Sequence, residues 1–126
     1  MRQNYPGTSP FEPIIGFSRA VRVGNTIQVS GTGPVGADDA DVATQTRKIF
    51  AIAEEVLIRA GATLGDVVRT RIYLTDVADW ETVGGVHGEY FANIRPAATM
   101  VVVAKLLNPQ WRVEIEFDAT LPGAEG

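Results

Sequence analysis

Four groups of residues in this sequence are of types that do chemistry. His87 is the one histidine, and histidine is the side chain whose ordinary pKa lies near neutrality. It sits among apolar residues at helical spacing, where a lone histidine is more often packed and structural than a proton carrier. Glu114 and Glu116 share one face of an alternating stretch, and two carboxylates so placed can hold a water or run acid–base chemistry. The alternative for the pair is a solvated polar face. Arg69 and Arg71 have the spacing for a bidentate clamp on a carboxylate, although an exposed strand face with alternating basic residues has the same pattern. Ser30-Gly31-Thr32-Gly33 can turn backbone N–H groups toward an anion. It lacks the Gly-Lys-Ser/Thr ending of a phosphate loop, and a strand-ending turn accounts for it equally. With one histidine and no cysteine, only carboxylates remain as metal ligands, and no ligand spacing appears. There is no nucleophile elbow and no Ser/His/Asp pattern. No cofactor is called for.

The elements that must position these residues are organised around Arg95 to Thr120. Ala98-Thr99-Met100-Val101-Val102-Val103-Ala104 is a near-continuous apolar run, expected to be a strand buried on both faces. Helices would cover one side, and a second subunit is a candidate cover for the other. Leu107-Asn108-Pro109-Gln110 carries turn chemistry, so this strand is expected to pair as a hairpin with the alternating Arg112 to Asp118. In that second strand Val113, Ile115 and Phe117 face one way, and Arg112, Glu114, Glu116 and Asp118 the other.

Upstream, Met1 to Pro13 contains Pro6, Pro10 and Pro13 and reads as an extended surface arm. Val21 and Val23 alternate with Arg22, then Gly24-Asn25 makes a tight turn into Ile27 to Ser30, predicting an antiparallel pair. Asp38, Asp39 and Asp41 are candidate caps for an amphipathic helix over Val42 to Ala60, with Gly61 as its stop. Val67 to Leu74 reads as a strand with Arg69, Arg71 and Tyr73 on one face and Val68, Thr70, Ile72 and Leu74 on the other. Asp79 is expected to cap a second helix carrying Trp80, Val83, His87, Tyr90 and Phe91. That helix also holds Gly84, Gly85 and Gly88, each of which costs about 0.5–1 kcal/mol relative to alanine. Close approach by another chain or a ligand would compensate. The expected order is strand, strand, helix, strand, helix, strand, strand: an α+β sheet with both helices on one face.

At 126 residues the chain is expected to be one domain, and oligomerisation would help to bury its surface. The net charge of −4, with basic residues scattered among acids, disfavours nucleic acid as a partner. No run approaches the roughly 20 apolar residues that span a bilayer, and the N-terminus lacks the apolar core of a signal peptide. A protein of the cytoplasm, with no membrane partner, is the expectation.

Taken in order, a set of segments resembles the RidA family (YjgF/YER057c/UK114, also catalogued as endoribonuclease L-PSP). They are Arg22-Val23-Gly24-Asn25, Val29-Ser30-Gly31, Gln45-Thr46-Arg47, Gly61 through Val68, Thr75-Asp76-Val77, Tyr90-Phe91, Arg95-Pro96-Ala97-Ala98-Thr99 and Val113-Glu114-Ile115-Glu116. The resemblance covers nearly the whole chain from Ile15 to Thr120. It implies a chorismate-mutase-like fold and a homotrimer with sheets inward, helices outward and small-molecule clefts between subunits. It also implies hydrolysis of reactive enamines and imines to 2-oxo acids and ammonia, with an arginine directly after a Pro-Ala pair binding the substrate carboxylate.

Here that position is Ala98, which cannot supply a charged planar fork. Arg95 is no replacement, because odd spacing in an extended chain aims it at the opposite face. The family's usual asparagine of the second helix falls at Gly84, and Met100 stands where a small residue is usual. Phe17 is nearest to the aromatic at the start of the first strand. The resemblance therefore implies an arginine-lacking branch, in which Glu114 positions a water and His87 is an acid–base partner. Ser30, Gly31, Phe17, Ala98, Thr99 and Arg71 would then line the ligand site. A binding trimer that catalyses nothing is the alternative; nucleic-acid cleavage follows only from the older catalogue name and fits the acidic balance poorly.

Overall fold

A computed structural model describes residues 1–123 of the chain. Its strands are β1 (Arg2–Tyr5), β2 (Ala20–Val23), β3 (Thr26–Thr32), β4 (Val67–Leu74), β5 (Ala97–Val102) and β6 (Val113–Thr120), and its long helices are α1 (Val42–Arg59) and α2 (Trp80–Phe91). The strands form one 6-stranded sheet in the order β1-β2-β3-β6-β4-β5. Both helices lie on one face of it, as the α+β pattern predicts.

Local chemistry sets the boundaries. Gly24 turns β2 into β3 at φ +59°, a conformation that glycine adopts without steric cost. Asp41 caps α1 by accepting from the Thr44 N–H at 2.8 Å. Gly61, at φ +92°, ends it. The Arg22 guanidinium then takes the carbonyl of Ala60 at 2.7 Å, one of the acceptors left over at a helix C-terminus.

The core lies between the sheet and the helices. Phe50 of α1 stacks on Tyr90 at 4.2 Å and meets Phe91 and Phe117 at 5.4 Å, tying α1, α2 and β6 together. Val113, Ile115 and Phe117 are fully buried there, and Glu114, Glu116 and Asp118 alternate to the open face. In β4 an irregularity between Val67 and Arg69 leaves Val68 exposed while Thr70, Ile72 and Leu74 are buried. Val68 therefore departs from the expected alternation.

Four further expectations are corrected. The hairpin between the Ala98–Ala104 run and the last strand does not form. β5 pairs only with β4, in parallel from Arg69 opposite Ala97 to Leu74 opposite Val102, and β6 inserts between β3 and β4, antiparallel to both. The cause is α2: a helical crossover returns the chain to the same edge and so favours parallel pairing. β6 carries a completely buried apolar face, which suits the sheet centre. For the same reason β5 is not buried on both faces of this chain. It is an edge strand, and Val101 and Val102 are 42% and 50% exposed.

The N-terminal segment is likewise not a simple arm. Arg2–Tyr5 adds a strand against β2, and Glu12–Gly16 forms a short π-helix. Finally, Asp79 precedes α2 but makes no side-chain capping bond. Its carboxylate is engaged by Arg112, with Nε donating to Oδ2 at 3.1 Å and Nη2 to Oδ1 at 2.6 Å.

Candidate functional site

Opposite the end of β6 that carries Glu114, β3 makes a bulge. Val29 pairs with Phe117 and Thr32 with Ile115, so Ser30 and Gly31 occupy the space of one residue. The Ser30 hydroxyl donates to the Ser18 carbonyl at 2.6 Å. Arg19, just before β2, donates from Nη2 to the carbonyls of Ser30 and Gly31, each at 2.7 Å. The bulge is thus held from below by a guanidinium.

Glu114 approaches Gly31 so closely that a Cβ on residue 31 would collide with its carboxylate. Glycine is needed there for space, because its φ is not positive. Burial pushes the Glu114 carboxyl above the usual range; the Arg19 cation opposes that and the Glu116 charge adds to it. A half-buried carboxyl with a raised pKa beside open space has the character of a general acid or base.

Glu114, Gly31 and Arg19 open into a groove of about 1290 Å³ that Phe11, Ile15, Phe17 and Trp111 also line. The Trp111 indole lies on Gly33, where a Cβ would strike the ring, and its Nε1 donates to Asp38 Oδ1 at 2.8 Å. Buried Gln45 holds that wall in place. Its side-chain amide donates to the carbonyls of Asp38 and Gln110 at 3.1 and 3.0 Å and accepts from the Arg112 N–H at 2.9 Å.

The expected site residues do not all meet here. Gly31, Glu114 and Phe17 line the groove. Ser30 and Arg71 flank Gly31 on the open face of the sheet, in a shallower depression of about 410 Å³ with Glu116 and Asp118. Arg71 is engaged there by Asp118 at 3.1 Å and Glu116 at 3.5 Å, so it is not a free clamp. Thr99 and Ala98 are on β5, separated from β6 by β4; the Thr99 hydroxyl accepts from Arg69 at 2.7 Å, and Ala98 pairs in register with Thr70.

His87 is on the other side of the sheet from Glu114. Its Nε2 is 2.9 Å from the Thr70 hydroxyl, and its ring packs at 4.8 Å from Phe91 and 6.1 Å from Phe50. Thr70 pairs with Phe117, on the face that the helices cover, whereas Glu114 alternates to the opposite face. The expectation of a Glu114–His87 acid–base pair within one chain is corrected by this alternation. Desolvation lowers the His87 pKa, as for a packed neutral imidazole.

Sequence reasoning missed Arg19, Trp111 and Phe11. The signal for Trp111 was present in its adjacency to the turn at Asn108-Pro109. Arg19 and Phe11 carry no periodic signal, since a bulge and a π-helix place them.

Comparison with known proteins agrees with this architecture. Residues 7–121 match the family model described as Endoribonuclease L-PSP. An uncharacterized protein of Streptomyces coelicolor is 34% identical over 115 residues, spanning 88% of this chain and 86% of that protein. The 3-aminoacrylate deaminase RutC of Acinetobacter baylyi is 34% identical over 114 residues, spanning 86% and 88%. Among solved structures, a Mycobacterium tuberculosis protein described as a member of the highly conserved YjgF/YER057c/UK114 family superposes with a TM-score of 0.90. It is 47% identical and covers 96% of this chain and 100% of that one. Sequence and fold together place the chain in the endoribonuclease L-PSP family, the YjgF/YER057c/UK114 or RidA family.

Proposed function

We propose that this protein, acting as one RidA-like domain within a cytoplasmic homotrimer, hydrolyses a reactive imine, enamine or related carbonyl metabolite. The observation that carries the reading is the half-buried Glu114 carboxyl, its pKa raised by burial, set against Gly31 in an open groove. In its ionised form Glu114 takes a proton from a water as the water oxygen bonds to the imine carbon and returns it to the nitrogen, giving a carbinolamine; the hydroxyl proton then passes through Glu114 to the same nitrogen as C=O forms and the C–N bond breaks. The products are a carbonyl compound and ammonia. Similarity to the RutC deaminase supports the reaction class. Ala98 stands where the family's carboxylate-binding arginine is expected, so the anchor for the substrate differs in this branch.

The homotrimer is supported by β5, an edge strand whose exposed Val101 and Val102 would gain from cover by a second subunit. Clefts between subunits would then bring β5 of one chain to the open sheet face of another. The same Ala98 favours a second reading, a trimer that binds a small metabolite and turns nothing over.

The test is the lifetime of 2-iminobutanoate or 3-aminoacrylate, generated in situ, with this protein and with Ala98→Arg. Acceleration by the unaltered protein supports hydrolysis. No acceleration, with saturable metabolite binding, supports the binding trimer.

A further inference from the structure

We propose that Arg19 is the anion anchor of the groove and takes the carboxylate of a ligand whose remaining body is apolar. The inference rests on the reading of this groove as the site for an imine or its 2-oxo-acid product. A guanidinium has five N–H donors. Nη2 of Arg19 is committed to the Ser30 and Gly31 carbonyls at 2.7 Å, and Nε is enclosed without an acceptor among the described residues. Nη1 is left as the end of the guanidinium available to the groove that Arg19 lines.

Of the two guanidiniums that line the groove, Arg59 is paired with Glu55 and, among the described residues, Arg19 with no carboxylate. Arg71, Arg112, Arg59 and Arg47 each pair with a carboxylate at 3.5 Å or less. Arg19 forms no ion pair among the described residues, though it is half-buried. A desolvated charge without a partner is costly, and a ligand carboxylate would relieve that cost with charge-assisted hydrogen bonds. Glu12 and Glu114 offset the desolvation only in part.

Position selects the ligand chemistry. The Nη2 end of Arg19 holds the bulge whose Gly31 touches the Glu114 carboxylate, so the anchor and the acid–base group share one corner of the groove. Away from that corner the groove exposes an apolar surface, with Phe11, Ile15 and Leu107 56%, 69% and 102% exposed beside Phe17 and Trp111, and the charged Glu12, Lys48, Glu55 and Arg59 also line it. A small anion alone would leave that surface wet. A branched-chain or aromatic 2-oxo or 2-imino acid fits both features.

The test titrates the full-length protein with 4-methyl-2-oxopentanoate and with its uncharged amide, followed by tryptophan fluorescence and calorimetry. The unaltered protein is expected to bind the acid about tenfold or more tighter than the amide. Arg19→Gln should bring the acid down to the affinity of the amide and leave the amide within about twofold. Equal binding of acid and amide, binding of neither, or equal weakening of both by Arg19→Gln overturns the assignment. Should Arg19→Gln not fold, the side-chain ¹⁵N resonances of the unaltered protein, assigned with Arg19→Lys, serve instead. The Arg19 resonance is expected to move with the acid and not with the amide, and no difference between them overturns the assignment. Binding is measured without turnover, so the two claims separate. An Arg19-dependent preference for the acid without imine hydrolysis removes the enzymatic reading alone. Hydrolysis whose KM is unmoved by Arg19→Gln removes the anchor alone.

Discussion

The Glu114 carboxylate occupies the space that a side chain on Gly31 would fill. Because that contact places the acid at the groove, Gly31→Ala should displace it. Overpacking of this kind costs about 1–3 kcal/mol in a well-packed site. Thermal unfolding should register that loss, together with a fall in whatever turnover or ligand affinity the unaltered protein has. An unchanged melting temperature and unchanged affinity would show that the carboxylate moves aside freely.

His87 is a packing residue within its own chain, bonded to Thr70 and stacked among Phe50 and Phe91. His87→Ala should cost about 2–4 kcal/mol through the cavity and the unpartnered Thr70 hydroxyl, while the folded fraction keeps its activity. Burial lowers the His87 pKa, so the neutral ring is favoured in the folded state. Its contribution to stability is complete above the ordinary value near 6.5. It is lost as pH falls from there through the lowered folded value. Denaturant melts between pH 5 and 8 of this protein and of His87→Phe, which titrates nothing there, should show that difference.

Asp79 and Arg112 join the start of α2 to the start of β6, and the two are unequal partners: the Asp79 side chain is 8% exposed and that of Arg112 44%. Arg112→Met strands a buried carboxylate and should cost about 3–5 kcal/mol. Asp79→Asn keeps an acceptor for Arg112 and should cost less than that. Urea melts of both variants give the order, and the reverse order would contradict this account.

Gly85 of α2 has open space where a Cβ would stand. Gly85→Ala should therefore raise stability by about 0.5–1 kcal/mol. A destabilised variant would instead reveal a second chain packed against that turn.

Legibility from the sequence followed the kind of signal each element carries. α1 was readable because its apolar positions recur at helical spacing and Asp41 and Gly61 punctuate it. β2, β3, β4 and β6 were readable from alternation and from the Gly24 turn. The partners of β5 were not, because a run such as Met100-Val101-Val102 reads the same in a doubly buried strand as in an edge strand awaiting cover. The site divided in the same way. Gly31 and Glu114 stood out in the family-like segments, but Arg19 is brought to them by the bulge at Ser30-Gly31, and a bulge leaves no period to read. His87 stood out by residue type, and the alternation of β4 and β6 puts it on the far side of the sheet from Glu114.

Glu114→Gln tests the central claim most directly, by comparing kcat/KM for imine hydrolysis with thermal stability in one preparation. Burial raises the pKa of Glu114, so ionising it costs more in the folded than in the unfolded chain. The contribution to stability is full below the ordinary carboxylate range and is lost as pH rises through the raised value. The amide, which cannot ionise, should therefore melt no lower than the unaltered protein at pH 7, while turnover falls by about 100-fold or more. Turnover retained within a few-fold by a well-folded Glu114→Gln would contradict the assignment of Glu114 as the group that activates water.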